Sequence, residues 1–499
     1  MAMTKAERKK YRKNEDHILQ TYREADSKEA AFYKYLSGLS REEMDIIGSD
    51  MRIDLALSQA FSSRFQEERD SYMDMKPLEL AALLKEMQTV VYKWLKEDDP
   101  EKCIQAKYTG PRGDVVIQEG SEEIEEEAFV EFGRMWQEGF LTSVTIPGSV
   151  RKIGDRAFWY CRSLTEVTIP TGVEIIGDRA FEDCAGLASV TISEGVVEIG
   201  DKAFRGCWNL TEAVIPASVR KIGSGAFSDC ENLTAIRVEA GNRFYSAVGG
   251  LLLNRDGSVL LGYPSGKAGA LSIPGSVTEI GSKAFYGCSG LTEAAIPEGV
   301  SKIGDRAFGN CENLASVTIP ESVAEIGDFA FTCCRSLNGV TIPESVTEIS
   351  DYAFAYCVRL NSAVIPGSIK RIGKGAFELC RCLASVTIPE GVDEIDDKAF
   401  CYSVLTSVAI PESVRRIGKR AFERCVRLAS VTIPEGVREI GSGAFSGCRS
   451  LTRVIIPESV EIIGERAFEG CTGLTEVIIP ERFRERGGDI FPGCESLNL

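Results

Sequence analysis

Thirteen cysteines of this chain each stand three residues after a phenylalanine: Cys161, Cys184, Cys207, Cys230, Cys288, Cys311, Cys334, Cys357, Cys380, Cys425, Cys448, Cys471 and Cys494. Cysteines at fixed spacing can form disulfides, hold a metal or act as nucleophiles. The spacing here argues against all three. Equivalent positions of a stacked repeat lie about 5 Å apart, so these thiols form one internal column, read most simply as small buried hydrophobes. The other four, Cys103, Cys333, Cys382 and Cys401, bring the total to 17, an odd number. Reduced, structural cysteines are expected, as in a reducing compartment. A zinc site built around Cys333-Cys334, Cys311 and Cys357 would need tetrahedral geometry that stacked identical thiols do not present. Cys380-Arg381-Cys382 and Cys401 are further thiols with no base nearby.

The remaining catalytic inventory is thin. His17 is the one histidine, in a charged helical stretch, so neither a Ser-His-Asp nor a Cys-His arrangement can be assembled in the rest of the chain. Aspartates recur in Gly-Asp-Arg/Lys-Ala-Phe (Asp155, Asp178, Asp201, Asp305, Asp397). Each is followed by a cation instead of further oxygen ligands, which argues against calcium and for a turn residue bonding its own backbone beside a cross-repeat charge ladder. No catalytic residue, metal ligand or cofactor is assigned.

The elements that position these residues are repeats. Units such as LTEVTIPTGVEIIGDRAFEDCAG (164–186) recur every 23 residues from about residue 114, and Phe158, Phe181, Phe204 and Phe308 are among the phenylalanines that mark the beat. A unit this short buries its apolar face only against its neighbours, which defines a solenoid. Within a unit, Val167 and Ile169 alternate with Glu166 and Thr168 as a half-buried strand that Pro170 ends. Val173, Ile176, Ala180, Phe181 and Cys184 then turn into the core. The Gly177 position holds Ser350 and Asp396 in two units, so it prefers glycine without strictly requiring a positive φ.

Two units are irregular. Phe227 and Phe285 are 58 residues apart, and the extra text reads as two strands around the turn Asn254 to Gly257, expected to project as a hairpin within about 239–270. Phe400 and Phe422 are one residue too close, with Ser403 at the cysteine position and a local kink expected. Residues 1–105 read as a small helical bundle, 106–137 as a junction and N-terminal cap repeat, 138–480 as the array and 481–499 as a C-terminal cap.

A formal charge of −17 disfavours nucleic acid or anionic lipid as the main ligand. The N-terminal segment never enters an apolar stretch of signal-peptide length and no run approaches a membrane span, so a cytoplasmic protein is expected, or a secreted or surface one if a leader has been removed. The outward strand positions are Ser and Thr (Ser143 and Thr145, Ser189 and Thr191, Ser316 and Thr318, Ser385 and Thr387, Ser430 and Thr432). They read as β-propensity on a half-exposed sheet in preference to an ice-binding plane. Anchors for a protein partner fall instead in the insert (Arg243, Phe244, Tyr245, Arg255, Tyr263), near Trp136 and on the last units (Arg449, Arg453).

The string L-x-x-V-x-I-P-x-x-V-x-x-I-G-x-x-A-F-x-x-C resembles the BspA-type leucine-rich repeat over roughly residues 114–499, and the segment 242–264 resembles that family's usual insert. The resemblance implies a right-handed, curved α+β solenoid with a parallel sheet on its concave face and a role in protein or surface recognition. Three functions are carried forward: a non-enzymatic protein-protein interaction scaffold, an extracellular adhesin of the BspA kind, and an effector or enzymatic activity in residues 1–105 regulated by the array. The partner and the oligomeric state are left open.

Overall fold

The computed structural model describes residues 106–108, 114–129, 141–267 and 269–497, all within one compact unit, Ala106–Leu499. Residues 1–105, expected to be a helical bundle, with His17 and Cys103, and also Trp136, lie outside the described residues.

Each repeat is one coil with two strands. The longer strand, for example Glu166–Ile169, pairs in parallel with its counterpart Ser189–Ile192 in perfect 23-residue register: Val167 meets Val190 and Thr168 meets Thr191. The shorter is a two-residue strand before the glycine turn, as in Ile175–Ile176, which pairs with Glu198–Ile199. Two parallel ladders therefore run along the molecule. Helix is confined, among the described residues, to the turns Glu481–Arg486 and Gly487–Ile490 at the end.

The core lies between the ladders and the Ala-Phe turn. Phenylalanine rings stack face to face along the axis, Phe158 on Phe181 at 4.9 Å and Phe308 on Phe331 at 5.1 Å, and the stack reaches Phe491. At one end Phe129 joins it 4.8 Å from Phe158, so the atypical first unit is a true coil. Its outer edge is covered by Ala106–Tyr108, which runs antiparallel to Asp114–Ile117.

The Ala-Phe turn is held open by two left-handed residues per coil, such as Arg179 (φ 57°) and Asp183 (φ 61°). Each left-handed residue costs about 1–2 kcal/mol for a non-glycine side chain. The cost is offset sideways: the N–H groups of Arg179, Phe181 and Asp183 donate to Asp201 O, Ala203 O and Arg205 O of the next coil at 2.7–2.8 Å. Gly177, by contrast, has an ordinary φ. A Cβ there would sit 2.5 Å from Asp155 Oδ1 of the preceding coil, so glycine is selected by close approach of neighbours.

The insert does not simply project. Tyr245–Val248, Leu251–Asn254 and Val259–Gly262 form an antiparallel meander, and its last strand pairs in parallel with Glu279–Ile280, so it joins the shorter ladder. Leu251, Leu253 and Leu260 are buried in the common core. The 22-residue coil leaves the ring stack intact, with Phe400 and Phe422 5.3 Å apart. The shorter ladder also passes through it; the longer ladder is interrupted between Ser362–Val364 and Ser407–Ala409, as it also is at regular coils after Ser189–Ile192 and after Ser316–Thr318.

Removing one ring from the middle of the stack, Phe354→Ala, is expected to lower unfolding stability by about 3–5 kcal/mol, because both faces of the ring are packed. Denaturant titration checks this; a loss below about 1 kcal/mol would contradict a shared interior.

Candidate interaction surfaces and the buried thiol column

The columns of reactive residue types are structural. Cys184 Sγ donates to Phe158 O of the preceding coil at 3.0 Å, and the same bond recurs from Cys207 to Phe181, from Cys311 to Phe285 and on to Cys494 with Phe468. Cys161 makes a longer version to Phe129 O at 3.6 Å. Each thiol is therefore both a small apolar filler and a hydrogen-bond donor that needs its proton. Burial pushes Cys184, Cys207 and Cys448 well above the ordinary thiol range and Cys230 and Cys425 up to about 12. Ser403 takes the same place with a hydroxyl bonded to Phe400 O at 2.8 Å and 3.2 Å from Cys425 Sγ.

The aspartates bond the neighbouring coil rather than their own backbone. Asp155 Oδ1 accepts the N–H of Asp178 at 2.9 Å, Asp178 that of Asp201 at 2.7 Å, and Asp305 that of Asp328 at 3.0 Å. Each aspartate stands three residues before the phenylalanine of its coil, so this ladder runs beside the ring stack. No group of three or more His, Cys, Asp or Glu among the described residues is arranged to hold a metal ion.

On the shorter ladder, side chains beside the buried isoleucines mostly alternate in charge from coil to coil, with Glu325 and Glu348 the consecutive like pair. Lys152 meets Glu123 at 2.6 Å, Lys302 meets Glu325 at 2.8 Å, and Arg371 lies in register between Glu348 and Glu394. The alternation was readable in the residue before each Ile-Gly. Asp396, in a glycine position, is accommodated by this ladder: burial works against its charge, but the Asp397 N–H and the guanidiniums of Arg371 (2.6 Å) and Arg416 (3.2 Å) hold its carboxyl below the usual range. Ile175 and Ile462 interrupt the charges.

The outward positions of the longer ladder do not make a continuous threonine plane. Thr168 and Thr191 are neighbours, but Val214, Val364, Ile455 and Ile478 are exposed at equivalent places, and Ser385 and Thr387 lie outside any strand. At the last coils Arg453 pairs in register with Glu476 and Ile455 with Ile478, with 43% and 47% of those isoleucines exposed.

Of the seven residues expected to face a partner, five are exposed: Arg243, Phe244, Arg255, Arg449 and Arg453. Tyr245 and Tyr263 are buried and do structural duty. The Tyr245 hydroxyl accepts the Ile222 N–H at 2.8 Å and donates to Arg220 O at 3.3 Å, closing the ladder edge where the insert begins. Tyr263 stands in the phenylalanine stack 5.0 Å from Phe285. Asn242, overlooked in the sequence, anchors the insert by donating to Pro216 O and Val219 O and accepting from the Phe244 and Tyr245 N–H groups. Its signal was an Asn at the entrance of an insert, a side chain suited to replacing backbone partners.

Stacked coils with one short strand ladder, one longer ladder and no gathered reactive groups define a leucine-rich-repeat solenoid. The BspA type leucine rich repeat region matches residues 133–246, 278–406 and 393–498, and the chain belongs to that family. Among solved structures, it is similar to a leucine-rich repeat protein from Eubacterium ventriosum (26% identity over 76% of this chain and 94% of that one, TM-score 0.48). It is similar also to one from Bacteroides ovatus (26%, 79% and 88%, TM-score 0.41) and to a leucine rich cell surface protein from Faecalibacterium prausnitzii (28%, 57% and 92%, TM-score 0.41). No curated protein matches. Among the described residues no helix is long and apolar enough to cross a membrane.

Two outcomes follow from the thiols. The folded column keeps its protons, while unfolded thiols release theirs above about pH 8.5, so the unfolded state binds fewer protons and stability falls as pH rises from there through the folded values. Each buried thiol adds about 1.4 kcal/mol per pH unit to that slope. The denaturant midpoint should drop steeply between pH 7.5 and 9.5; an unchanged midpoint would contradict buried, protonated thiols. Of the sixteen described cysteines only Cys382 is exposed and Cys333 half-buried. In a Cys103→Ser background, a thiol reagent should give one fast native phase, abolished by Cys382→Ser. Several fast phases would mean an open column.

Proposed function

We propose that the array is a non-enzymatic scaffold for protein-protein interaction, and that its principal contact surface is the outer face of the longer ladder over the last coils. The observation that carries this is the exposed Ile455–Ile478 pair beside the Arg453–Glu476 pair, with Arg449 exposed nearby. Two aligned apolar side chains flanked by arginine have the make-up of an interface centre: an apolar core with Arg at its border. The fitting partner presents apolar side chains rimmed by carboxylates. The insert, with Phe244 45% exposed between Arg243 and the buried Tyr245, is a second contact point. Residues 1–105, read as helical, offer the scaffold another surface. The free, largely buried cysteines support a reducing, cytoplasmic setting, since no disulfide staples the coils.

The test compares the full chain with the double variant Ile455→Asp, Ile478→Asp. Both residues are solvent-facing, so the variant should melt like the parent. Proteins retained by the parent should bind the variant at least about tenfold more weakly, the effect of charge in an apolar contact. An identical set retained by both, or turnover of a small substrate by the array itself, would defeat the reading.

A further inference from the structure

Every Ala-Phe turn but one donates two N–H groups sideways to the next coil: that of the phenylalanine and that of the residue two before it. Lys202 donates to Ser224 O and Phe204 to Ala226 O; Lys283 donates to Asp305 O and Phe285 to Ala307 O. In the coil that precedes the insert, neither Gly225 N–H nor Phe227 N–H has a partner among the described residues. Both residues are buried. The ring stack breaks at the same place: Phe227 stacks on Phe204 and Tyr263 on Phe285, but no ring pair joins Phe227 to Tyr263. The coils on either side stay in touch through the Ser224 hydroxyl, which donates to Ser282 O at 3.3 Å, and further along the turn, where the Asp229 N–H reaches Tyr286 O at 3.4 Å.

The space left is a cavity of about 180 Å³. Its walls are mixed: Phe227, Ile236, Leu252 and Leu261 supply an apolar side, and Ser224, Ser228, Ser282 and Lys283 a polar one. A Cβ on Gly225 would stand 3.0 Å from Lys283 Cδ and 3.1 Å from Ser228 Oγ, so the lysine stem lies over the glycine at the rim. Among the described residues neither Lys283 nor Lys202 forms an ion pair with a carboxylate, while Arg205 is already committed to Glu182 at 2.9 Å and Asp229 at 2.8 Å. Burial first, then the neighbouring Lys202, lowers the Lys283 pKa against the opposing pull of Asp201, so the Lys283 ammonium has nearby carboxylate charge but no direct ion pair.

We propose that this cavity binds a small organic carboxylate. The carboxylate accepts the Gly225 and Phe227 N–H groups and pairs with Lys283, and the apolar body lies against Phe227, Leu252 and Tyr263. Unpaired buried backbone donors cost roughly 1–3 kcal/mol each, which an oxygen acceptor recovers. An apolar cavity of about 150 Å³ takes a benzene-sized molecule, so the body is of that order and not larger. The charge distinguishes the occupant from water or a neutral apolar molecule. This site is separate from the protein-contact surface proposed above and stands or falls independently of it.

The experiment titrates the full chain with benzoate, and with benzyl alcohol as the uncharged control, by calorimetry and thermal shift. Benzoate should bind saturably and about tenfold or more tighter than benzyl alcohol, the discrimination expected of hydrogen bonds to a charged group. Lys283→Met, which keeps the stem and removes the charge, should erase that difference. Gly225→Lys introduces the side chain that Lys202 and Lys283 carry at the same left-handed position (φ 55° and 60°) and should block benzoate; its Cβ presses on the Lys283 stem, so it should also melt below the parent, and Lys283→Met carries the test without that crowding. Absence of saturable binding, as for a cavity filled by water only, overturns the proposal. So does benzoate affinity unchanged by either substitution.

Discussion

No coil of this chain has an interior of its own. A 23-residue unit buries a phenylalanine, a cysteine, an alanine and a handful of Val, Ile and Leu, and each of these is covered only because an identical side chain lies about 5 Å away on either side. The same holds for the backbone. The left-handed residues, the phenylalanine N–H and the aspartate-capped turn are all satisfied by the next coil. Lateral satisfaction is the constraint from which the glycine at 177, the reduced thiols and the form of the insert follow.

Where that constraint is relaxed, the chain shows how it compensates. At the insert the ladder edge at Ile222 is closed by the Tyr245 hydroxyl, and Asn242 amide groups stand in for backbone partners. At the last coils Arg482 bonds Val460 O and Glu458 Oε2, and Phe491 and Cys494 continue the two columns to the end. At the 22-residue coil the ring stack and the shorter ladder are kept, while the longer ladder breaks there as it does at regular coils. The priority is physical: a void in the ring stack costs several kcal/mol, whereas an exposed strand can bond water.

Much of this was legible in the sequence because identical residues at fixed spacing must stack. The Phe and Cys columns and the Ile-Pro strand ends follow from period alone, whereas the coil at Phe129, 29 residues before Phe158, does not. What was not legible depends on direction. The text Gly-Asp-Arg does not say whether the carboxylate bonds its own turn or the next coil. Nor does Phe-x-x-Cys say that the thiol donates backwards to the preceding phenylalanine carbonyl. Tyr245 and Tyr263 looked like contact residues because aromatics in an irregular segment invite that reading; they are buried because the irregular segment must still fill the core. For function, the sequence excluded more than it specified, since a repeat spreads its polar groups evenly and gathers none into a reacting set.

Amide hydrogen exchange on the native chain tests the shared-interior account most directly. Protection should recur with the 23-residue period, strongest at the Ala-Phe turns in the middle of the stack, and should fall sharply at Gly225 to Phe227, where the lateral bonds are missing. Protection that ignores the period, or turns as well protected at 225–227 as at 352–354, would contradict it.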